Sequence, residues 1–148
     1  MYTHILIAID GSELADKGLV QGLALAVSLK SQVTVVTVSE PMSSGYDDIY
    51  GWSGAQGVTT DYKQAMQERA DKILKAAEAK AAAAGITATG LHLAGRYAAD
   101  GIIETARTKG CDLIVMASHG RRGLGRLLIG SQTTEVLTHT EVPVLVIR

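Results

Sequence analysis

The stretch from Ser118 to Ser131 holds the residues best suited to bind an anion. It combines glycines, which let the backbone approach a ligand closely, with three arginines in a chain of 14 Lys and Arg against 15 Asp and Glu. Gly130-Ser131 opens a predicted helix, so free N–H groups, the positive end of the helix dipole and the Ser131 hydroxyl act at one point. The stretch therefore predicts a phosphate-binding turn. From their positive charge, we predict that Arg121, Arg122 and Arg126 make supplementary phosphate contacts.

A simpler interpretation exists for each part of this turn. Ser131 could serve only as the N-cap of the helix predicted over 132–139, a role worth about 1 kcal/mol. Gly130 would then merely admit the turn, and the three exposed arginines could equally point to solvent. A Gly-Ser pair alone favours this interpretation. The glycine and arginine loop upstream favours phosphate binding, because a cap does not require it.

Asp10 is a second candidate binding residue. It ends the apolar run Ile5–Ile9, the position from which a carboxylate at the end of a buried strand holds a ribose hydroxyl. The tripeptide Asp10-Gly11-Ser12 also suits an Asx-turn that leads into a capped helix. The sequence favours the two interpretations equally.

Other chemistries lack their motifs. The first strand is not followed by G-x-G-x-x-G, and neither a Walker P-loop nor a G-x-S-x-G elbow is present, which argues against NAD redox chemistry, P-loop hydrolysis and a serine hydrolase. The four histidines have no metal-ligand spacing, so we expect no metal site built from protein ligands alone. His119 is expected to be a loop residue near the ligand. We assign no catalytic residue.

Short apolar runs alternate with stretches of helical period, a pattern typical of an α/β domain with a parallel sheet. A weaker alternating run, Ile86–Leu93, supplies a fifth strand beside four helices. Ser12 is predicted to cap the first helix, and Gly85 and Gly110 to end two others. The other predicted strands are Ile5–Ile9, Val33–Val38, Leu113–Ala117 and Val142–Ile147, and the helical faces are Leu19, Leu23, Ala26 and Val27; Tyr62, Met66, Ala70, Ile73 and Ala77; and Ile102, Ile103 and Ala106.

One long stretch, Ser39–Thr60, has no regular pattern and is predicted to be a flexible loop. It holds Tyr46, Tyr50 and Trp52, half of the aromatic residues in a chain with 5 Tyr, 1 Trp and no Phe. Long loops of this kind are either functional or disordered. A floppy insertion and a lid or partner surface remain equal alternatives.

Composition limits the class of protein. A chain of 148 residues with 47% hydrophobic content is expected to form one domain, residues 1–148, and its near-neutral charge argues against nucleic-acid binding. No segment approaches a membrane span or a signal peptide. The one cysteine, Cys111, is expected to be a small buried hydrophobe. We expect a soluble cytoplasmic protein without membrane insertion.

Four segments taken together closely resemble the universal stress protein family over nearly the whole chain: Ile5–Ser12, Asp112–Gly120, Gly130-Ser131 and Val142–Ile147. Members that bind ATP carry G-x2-G-x9-G-[ST]. Here Ala117 stands at the first glycine, followed in register by Gly120 and Gly130-Ser131. Binding is expected to survive this change if Ala117 does not need a positive φ. The resemblance implies an open, Rossmann-like five-stranded parallel sheet of order 3-2-1-4-5 with helices on both faces.

The resemblance also implies a role for each matching residue. Asp10 would hold the ribose or lie under it, and the Val38 backbone would meet the adenine edge. Family members commonly form homodimers through the last strand, and an uncovered apolar edge at Val142–Ile147 would be an aggregation hazard. The remaining contacts implied are Ala8 to the base, Met116 and Ala117 to the sugar, and Gly120, Gly130, Ser131 and Gln132 to the phosphates.

The resulting hypothesis is a cytoplasmic, homodimeric stress-response protein that binds ATP, ADP or AMP, with Mg²⁺ accompanying the phosphates. Nucleotide occupancy would bias assembly or the binding of a protein partner, and slow hydrolysis or phosphate transfer stays open. A nucleotide-independent interaction module, using the loop from Tyr46 to Trp52, is the main alternative. An adenylating α/β enzyme ranks last, because the Ser- and Gly-rich loop of such enzymes is reduced here to Asp10-Gly11-Ser12.

Overall fold

The computed structural model describes residues 1–41, 55–120 and 128–148. Within these ranges the chain forms strands and helices in strict alternation, which is the connectivity that parallel strands require. The elements are β1 (His4–Ala8), α1 (Glu13–Leu29), β2 (Gln32–Ser39), α2 (Ala55–Ala83), β3 (Ala88–Ala94), α3 (Ala98–Lys109), β4 (Leu113–Ala117), α4 (Ser131–His139) and β5 (Val144–Ile147).

The five strands form one parallel sheet of order β3-β2-β1-β4-β5. The central strand β1 pairs with β2 from His4 opposite Gln32 and with β4 from Ile5 opposite Leu113. Its near-continuous apolar sequence suits a strand that is covered on both faces. The predicted α/β fold and strand order are confirmed.

Successive residues of β1 pack into two separate cores. Ile5 and Ile7 contact the face covered by α1 and α2, whereas Leu6 contacts the face covered by α3 and α4. The alternation follows from the two-residue period of a strand. The sheet is therefore held between two helical layers.

The predicted helix boundaries at Ser12 and Gly110 are confirmed. The Ser12 hydroxyl accepts a hydrogen bond from the Ala15 N–H at 3.1 Å and caps α1. Gly110 is the C-cap of α3 with a φ of +67°, a left-handed conformation that glycine adopts at little cost. Gly85, with a φ of +79°, follows the end of α2.

The predicted irregular stretch Ser39–Thr60 was too long at both ends. Ser39 belongs to β2, and α2 begins at Ala55. Its tyrosines and tryptophan lie outside the described residues. The sequence missed the start of α2 because Gly57 and the β-branched residues after it have low helix propensity.

Smaller differences concern edges and faces. Ile9 and Val142 lie outside β1 and β5, although both were predicted within strands. Val27 was predicted on the buried face of α1, yet it is 48% exposed. The buried face of a helix covers only part of its circumference. Leu23 and Ala26 lie within that part of α1 and are buried, whereas Val27 lies outside it.

The helices differ in length and polarity. The longest described helix, α2, spans 29 residues and carries charged side chains along its length. In the part of the chain that the structure describes, no helix is both long and apolar enough to cross a membrane.

Candidate functional site

A cavity of about 820 Å³ lies at the carboxyl ends of β1, β2 and β4. From β1 the chain passes through α1 on one face of the sheet, whereas the connection into β4 passes through α3 on the other face. Ligands of open α/β sheets bind where the connections diverge in this way. The cavity is therefore located where the fold favours a binding site.

One wall of the cavity is the start of α4. Gly130 is its N-cap and has no side chain to bond the first helical N–H groups. Its own N–H donates to the Ser118 carbonyl oxygen at 2.8 Å. The N–H groups of Ser131, Gln132 and Thr133 meet no acceptor among the described residues. They point out of the helix end, where the helix dipole favours an anion.

The alternative in which Ser131 serves only as an N-cap does not hold. Ser131 is the first residue of α4 rather than its N-cap, and the predicted start at Gln132 was one residue late. The Thr133 hydroxyl donates to the Ala117 carbonyl oxygen at 3.0 Å, which ties the start of α4 to the end of β4. The Ser131 side chain is exposed and lines the cavity.

Two glycines of the turn lie in close contact with neighbouring groups. A Cβ atom on Gly130 would lie 3.1 Å from the His119 Cα. A Cβ on Gly120 would lie 2.8 Å from the Asp10 Oδ2. The Gly120 contact places the turn after β4 against Asp10 at the end of β1, whereas the Gly130 contact lies within the turn itself. A larger residue at either position would have to displace its neighbour.

Asp10 adopts the predicted Asx-turn. Its Oδ1 accepts a hydrogen bond from the Ser12 N–H at 2.9 Å, and its Oδ2 faces Gly120. The side chain is half-buried and lines the cavity. One carboxylate oxygen thus supports the turn into α1.

The backbone of Val38 faces the cavity. The Ile9 N–H donates to the Val36 carbonyl oxygen at 2.9 Å, so the polar groups of Val36 point toward β1. Backbone groups two residues apart on a strand point to the same side. The N–H and C=O of Val38 therefore point past the end of β1, where they present one donor and one acceptor.

The family model for the universal stress protein family matches residues 1–148. The chain belongs to the universal stress protein family. Among its relatives, a universal stress protein of Thermus aquaticus is 30% identical over 149 residues, and YxiE of Bacillus subtilis is 28% identical over 155 residues. Both alignments cover 100% of each chain. The resemblance predicted from sequence is confirmed.

Solved structures of universal stress proteins share the fold. UspA from Lactobacillus plantarum superposes with a TM-score of 0.85 at 21% identity and covers 99% of this chain and 98% of its own. A universal stress protein in complex with cAMP superposes with a TM-score of 0.71 at 23% identity, and the alignment covers 99% of this chain and 97% of that protein. The universal stress protein from Archaeoglobus fulgidus in complex with dAMP superposes with a TM-score of 0.70 at 19% identity, and the alignment covers 99% of this chain and 98% of that protein.

Most of the site residues expected of a universal stress protein line the same cavity in this chain. The three arginines, Arg121, Arg122 and Arg126, lie outside the described residues. His119 also lines the cavity, as expected, with its Nδ1 3.2 Å from the Ser118 hydroxyl. The predicted residues on the cavity wall are Ala8, Asp10, Val38, Met116, Ala117, Gly120, Gly130, Ser131 and Gln132.

Gln132 has a contact that the sequence did not reveal. Its side-chain Oε1 accepts a hydrogen bond from the Ala99 N–H at 2.9 Å. The N-cap of α3, Tyr97, makes no side-chain hydrogen bond of its own, so Gln132 supplies the missing acceptor from α4. Its main-chain N–H remains directed into the cavity, and its side chain holds α3 beside α4.

A wall formed by α2 was missed as part of the site. Tyr62, Met66 and Ile73 were predicted only as a buried helical face, and Arg69 was not singled out. All four line the cavity. The signal was present, because Arg69 follows Met66 by three residues and Tyr62 by seven and so shares their face. Tyr62 donates its hydroxyl to the Glu40 carbonyl oxygen at 3.2 Å.

At the rim, a hydrogen-bonded chain links β2, β3 and α2. His92 Nε2 lies 2.8 Å from the Ser39 hydroxyl, and His92 Nδ1 lies 3.0 Å from the Gln67 Oε1. The pKa of His92 is lowered, because the effect of burial is larger than the opposing effect of the Asp71 carboxylate. Among residues 1–41, 55–120 and 128–148, no three His, Cys, Asp or Glu side chains are grouped to hold a metal ion.

Proposed function

We propose that this universal stress protein binds an adenine nucleotide in the cavity at the carboxyl edge of its sheet. The single observation that carries the proposal is the convergence of the predicted residues. They come from β1 and the residues after it, β2, β4 and the turn after it, and the start of α4, yet nine of them line one cavity. Its volume, about 820 Å³, falls within the range typical of small-molecule and cofactor sites.

The chemistry of the walls fits the parts of such a ligand. The outward N–H and C=O of Val38 suit the polar edge of an adenine ring. Asp10 suits the ribose hydroxyls, because a carboxylate makes strong charge-assisted hydrogen bonds to them. The three N–H groups at the start of α4 that meet no acceptor among the described residues suit the phosphates. Ala8, Met116 and Ala117 supply apolar surface between these polar points.

The two nucleotide complexes among the similar structures support the ligand class. Those proteins bind cAMP and dAMP, and each shares this fold over nearly the whole chain. For this chain we propose ATP, ADP or AMP as the ligand, with Mg²⁺ accompanying the phosphates. Arg121 and Arg122 are proposed as further phosphate contacts.

We further propose that the protein is a cytoplasmic homodimer joined through β5, and that nucleotide occupancy biases its assembly or its binding to another protein. Ser118, which follows β4, accepts a hydrogen bond from the Gly130 N–H at 2.8 Å. The Ser118 N–H also donates to the Ile147 carbonyl oxygen at 2.7 Å. A ligand bound at the start of α4 would therefore act next to the last strand, because Ser118 is hydrogen-bonded to both Gly130 and Ile147.

The direct test identifies the ligand. Protein purified without added nucleotide is heated, and the released small molecules are analysed by mass spectrometry. Thermal unfolding is then followed with and without Mg-ATP. We expect an adenine nucleotide in the released fraction, or a rise in Tm of about 5 °C or more at a hundredfold excess over Kd. Absence of both overturns the proposal and favours a nucleotide-independent interaction module.

Gly130→Val tests the position of the site. The branched side chain would clash with His119, whose Cα lies 3.1 Å from the position of the first added carbon. We expect the nucleotide-induced rise in Tm to disappear. Gly85→Ala is the control, because a Cβ there meets nothing within 4 Å, yet the φ of +79° makes the substitution strained. The control is expected to lower Tm while keeping the nucleotide effect.

A further inference from the structure

Arg69 on α2 is a cation in the wall of the cavity. Its side chain is half-buried, and no other Lys or Arg is among the described residues that line the cavity. The acidic residues on the same walls are Asp10 and Glu40. A guanidinium is always charged and carries five N–H donors in a fixed plane.

Within the described parts of the chain, Arg69 uses few of these donors. Its Nη2 donates to the Asp10 carbonyl oxygen at 3.4 Å, a long hydrogen bond to a neutral acceptor. No carboxylate of the described residues forms an ion pair with it. A partly buried cation that has no counterion in the described ranges would be stabilised by an anionic ligand that enters the cavity.

Asp10 separates Arg69 from the turn proposed to bind the 5′-phosphates. The Asp10 carbonyl oxygen faces Arg69, whereas its carboxylate Oδ2 faces Gly120. The Arg69 Nη2 would also lie 3.8 Å from a Cβ on Gly11, the residue after Asp10. The cavity thus has two places suited to an anion, one on each side of Asp10.

We propose that Arg69 binds a phosphate carried on the ribose, at its 2′ or 3′ oxygen. This inference rests on the proposed function, because it takes the ribose to lie at Asp10. The ligand class is then an adenine nucleotide with a phosphate on the ribose ring in addition to its 5′-phosphate. In dinucleotide-binding sheets an arginine near the ribose accommodates a 2′-phosphate by the same chemistry.

The experiment compares three ligands that differ only at the ribose. Dissociation constants are measured by calorimetry for AMP, adenosine 2′,5′-bisphosphate and adenosine 3′,5′-bisphosphate. We expect at least one bisphosphate to bind the native protein about tenfold more tightly than AMP, the gain typical of a hydrogen bond to a charged group. The two bisphosphates distinguish the 2′ position from the 3′ position.

Substitutions assign the gain to Arg69. In Arg69→Gln, the ratio of the AMP constant to that of the favoured bisphosphate is expected to fall from about tenfold to near unity. Arg69→Lys keeps the charge without the planar fork, so it is expected to retain part of the ratio. Lys72→Gln removes one exposed charge from the same helix and is expected to keep the full ratio.

The outcomes separate this inference from the proposed function. If the native protein binds AMP but gains nothing from either bisphosphate, the role of Arg69 is wrong and the proposed function stands. An equal loss of ratio in Arg69→Gln and Lys72→Gln also overturns it, because general electrostatics then explains the gain. If none of the three ligands binds the native protein, both proposals fail. Thermal unfolding of each variant establishes that it is folded.

Discussion

Gly130 has a φ of −60°, a conformation that any residue adopts. The lack of a side chain at Gly130 is therefore required by its close neighbours and not by its backbone conformation. The same holds for Gly120, whose Cβ would meet the Asp10 carboxylate. Ala117, which replaces the first glycine of the family pattern, lies in β4 and is not among the described residues with a positive φ. The condition set for this substitution, that Ala117 does not need a positive φ, is therefore met.

Cys111 is buried, as predicted, and its burial leads to a prediction about how stability depends on pH. Burial raises the pKa of its thiol from 9.0 to about 11; the Asp112 carboxylate adds to the rise and Lys109 opposes it. The folded protein therefore keeps a proton that the unfolded chain loses between about pH 9 and 11. The contribution of the thiol is fully present below pH 9 and is lost as the pH rises through that window.

The measurement uses urea unfolding in the presence of a reducing agent at pH 8 and at pH 10.5. Tyrosines and lysines also titrate in this range, so Cys111→Ala serves as the reference. We expect the native protein to lose more free energy of unfolding than Cys111→Ala between the two pH values. Identical losses in the two proteins would show that the thiol ionises normally in the fold.

At the scale of elements, α1 meets the sheet through two glycines with different surroundings. A Cβ on Gly18 would have its nearest neighbours at 3.9 Å, whereas a Cβ on Gly22 would lie 2.7 Å from the Ile7 Cδ1. Alanine in a helix interior is favoured over glycine by about 1 kcal/mol. Overpacking a core costs about 1–3 kcal/mol.

We therefore expect Gly18→Ala to raise the free energy of unfolding by up to about 1 kcal/mol. Gly22→Ala is expected to be less stable than Gly18→Ala by at least about 1 kcal/mol, because Ile7 is fully buried and must move. Urea unfolding of both variants at one pH gives the comparison. Equal stability would mean that the β1 side chains shift without cost.

The elements also differ in how far the sequence predicted them. The strands and the cap at Ser12 follow from local patterns, since an apolar run and a capping hydroxyl act within a few residues. The start of α2 at Ala55 does not follow from its local sequence. The hydrogen bond from Ala99 to Gln132 joins α3 to α4 across 33 positions, and no local pattern contains it.

For the whole molecule, the last strand predicts the mode of assembly. Strand β5 pairs with β4 on one side and ends the sheet, and Leu145 on it is 38% exposed. An apolar edge strand of this kind favours pairing with another chain. We propose that a second copy of the protein covers it.

Sedimentation velocity tests this assembly. The native protein is expected to be a dimer, and Leu145→Lys is expected to shift it to a monomer, because a charge on an edge opposes pairing. Val20→Lys is the matched control, since Val20 is 53% exposed and belongs to α1 rather than to the edge strand. A monomeric native protein contradicts the dimer. A dimeric Leu145→Lys protein excludes β5 as the interface.

The sequence by itself determined the alternation of strands and helices, the family and the residues expected at the site. Each of these depends on period, on local turn chemistry or on short motifs that are each contiguous in the chain. Only the tertiary structure decided that α2 forms a wall of the cavity and that Arg69 lies beside Asp10. These two residues are 59 positions apart, and their contact exists only because α1 and α2 pack on the same face of the sheet.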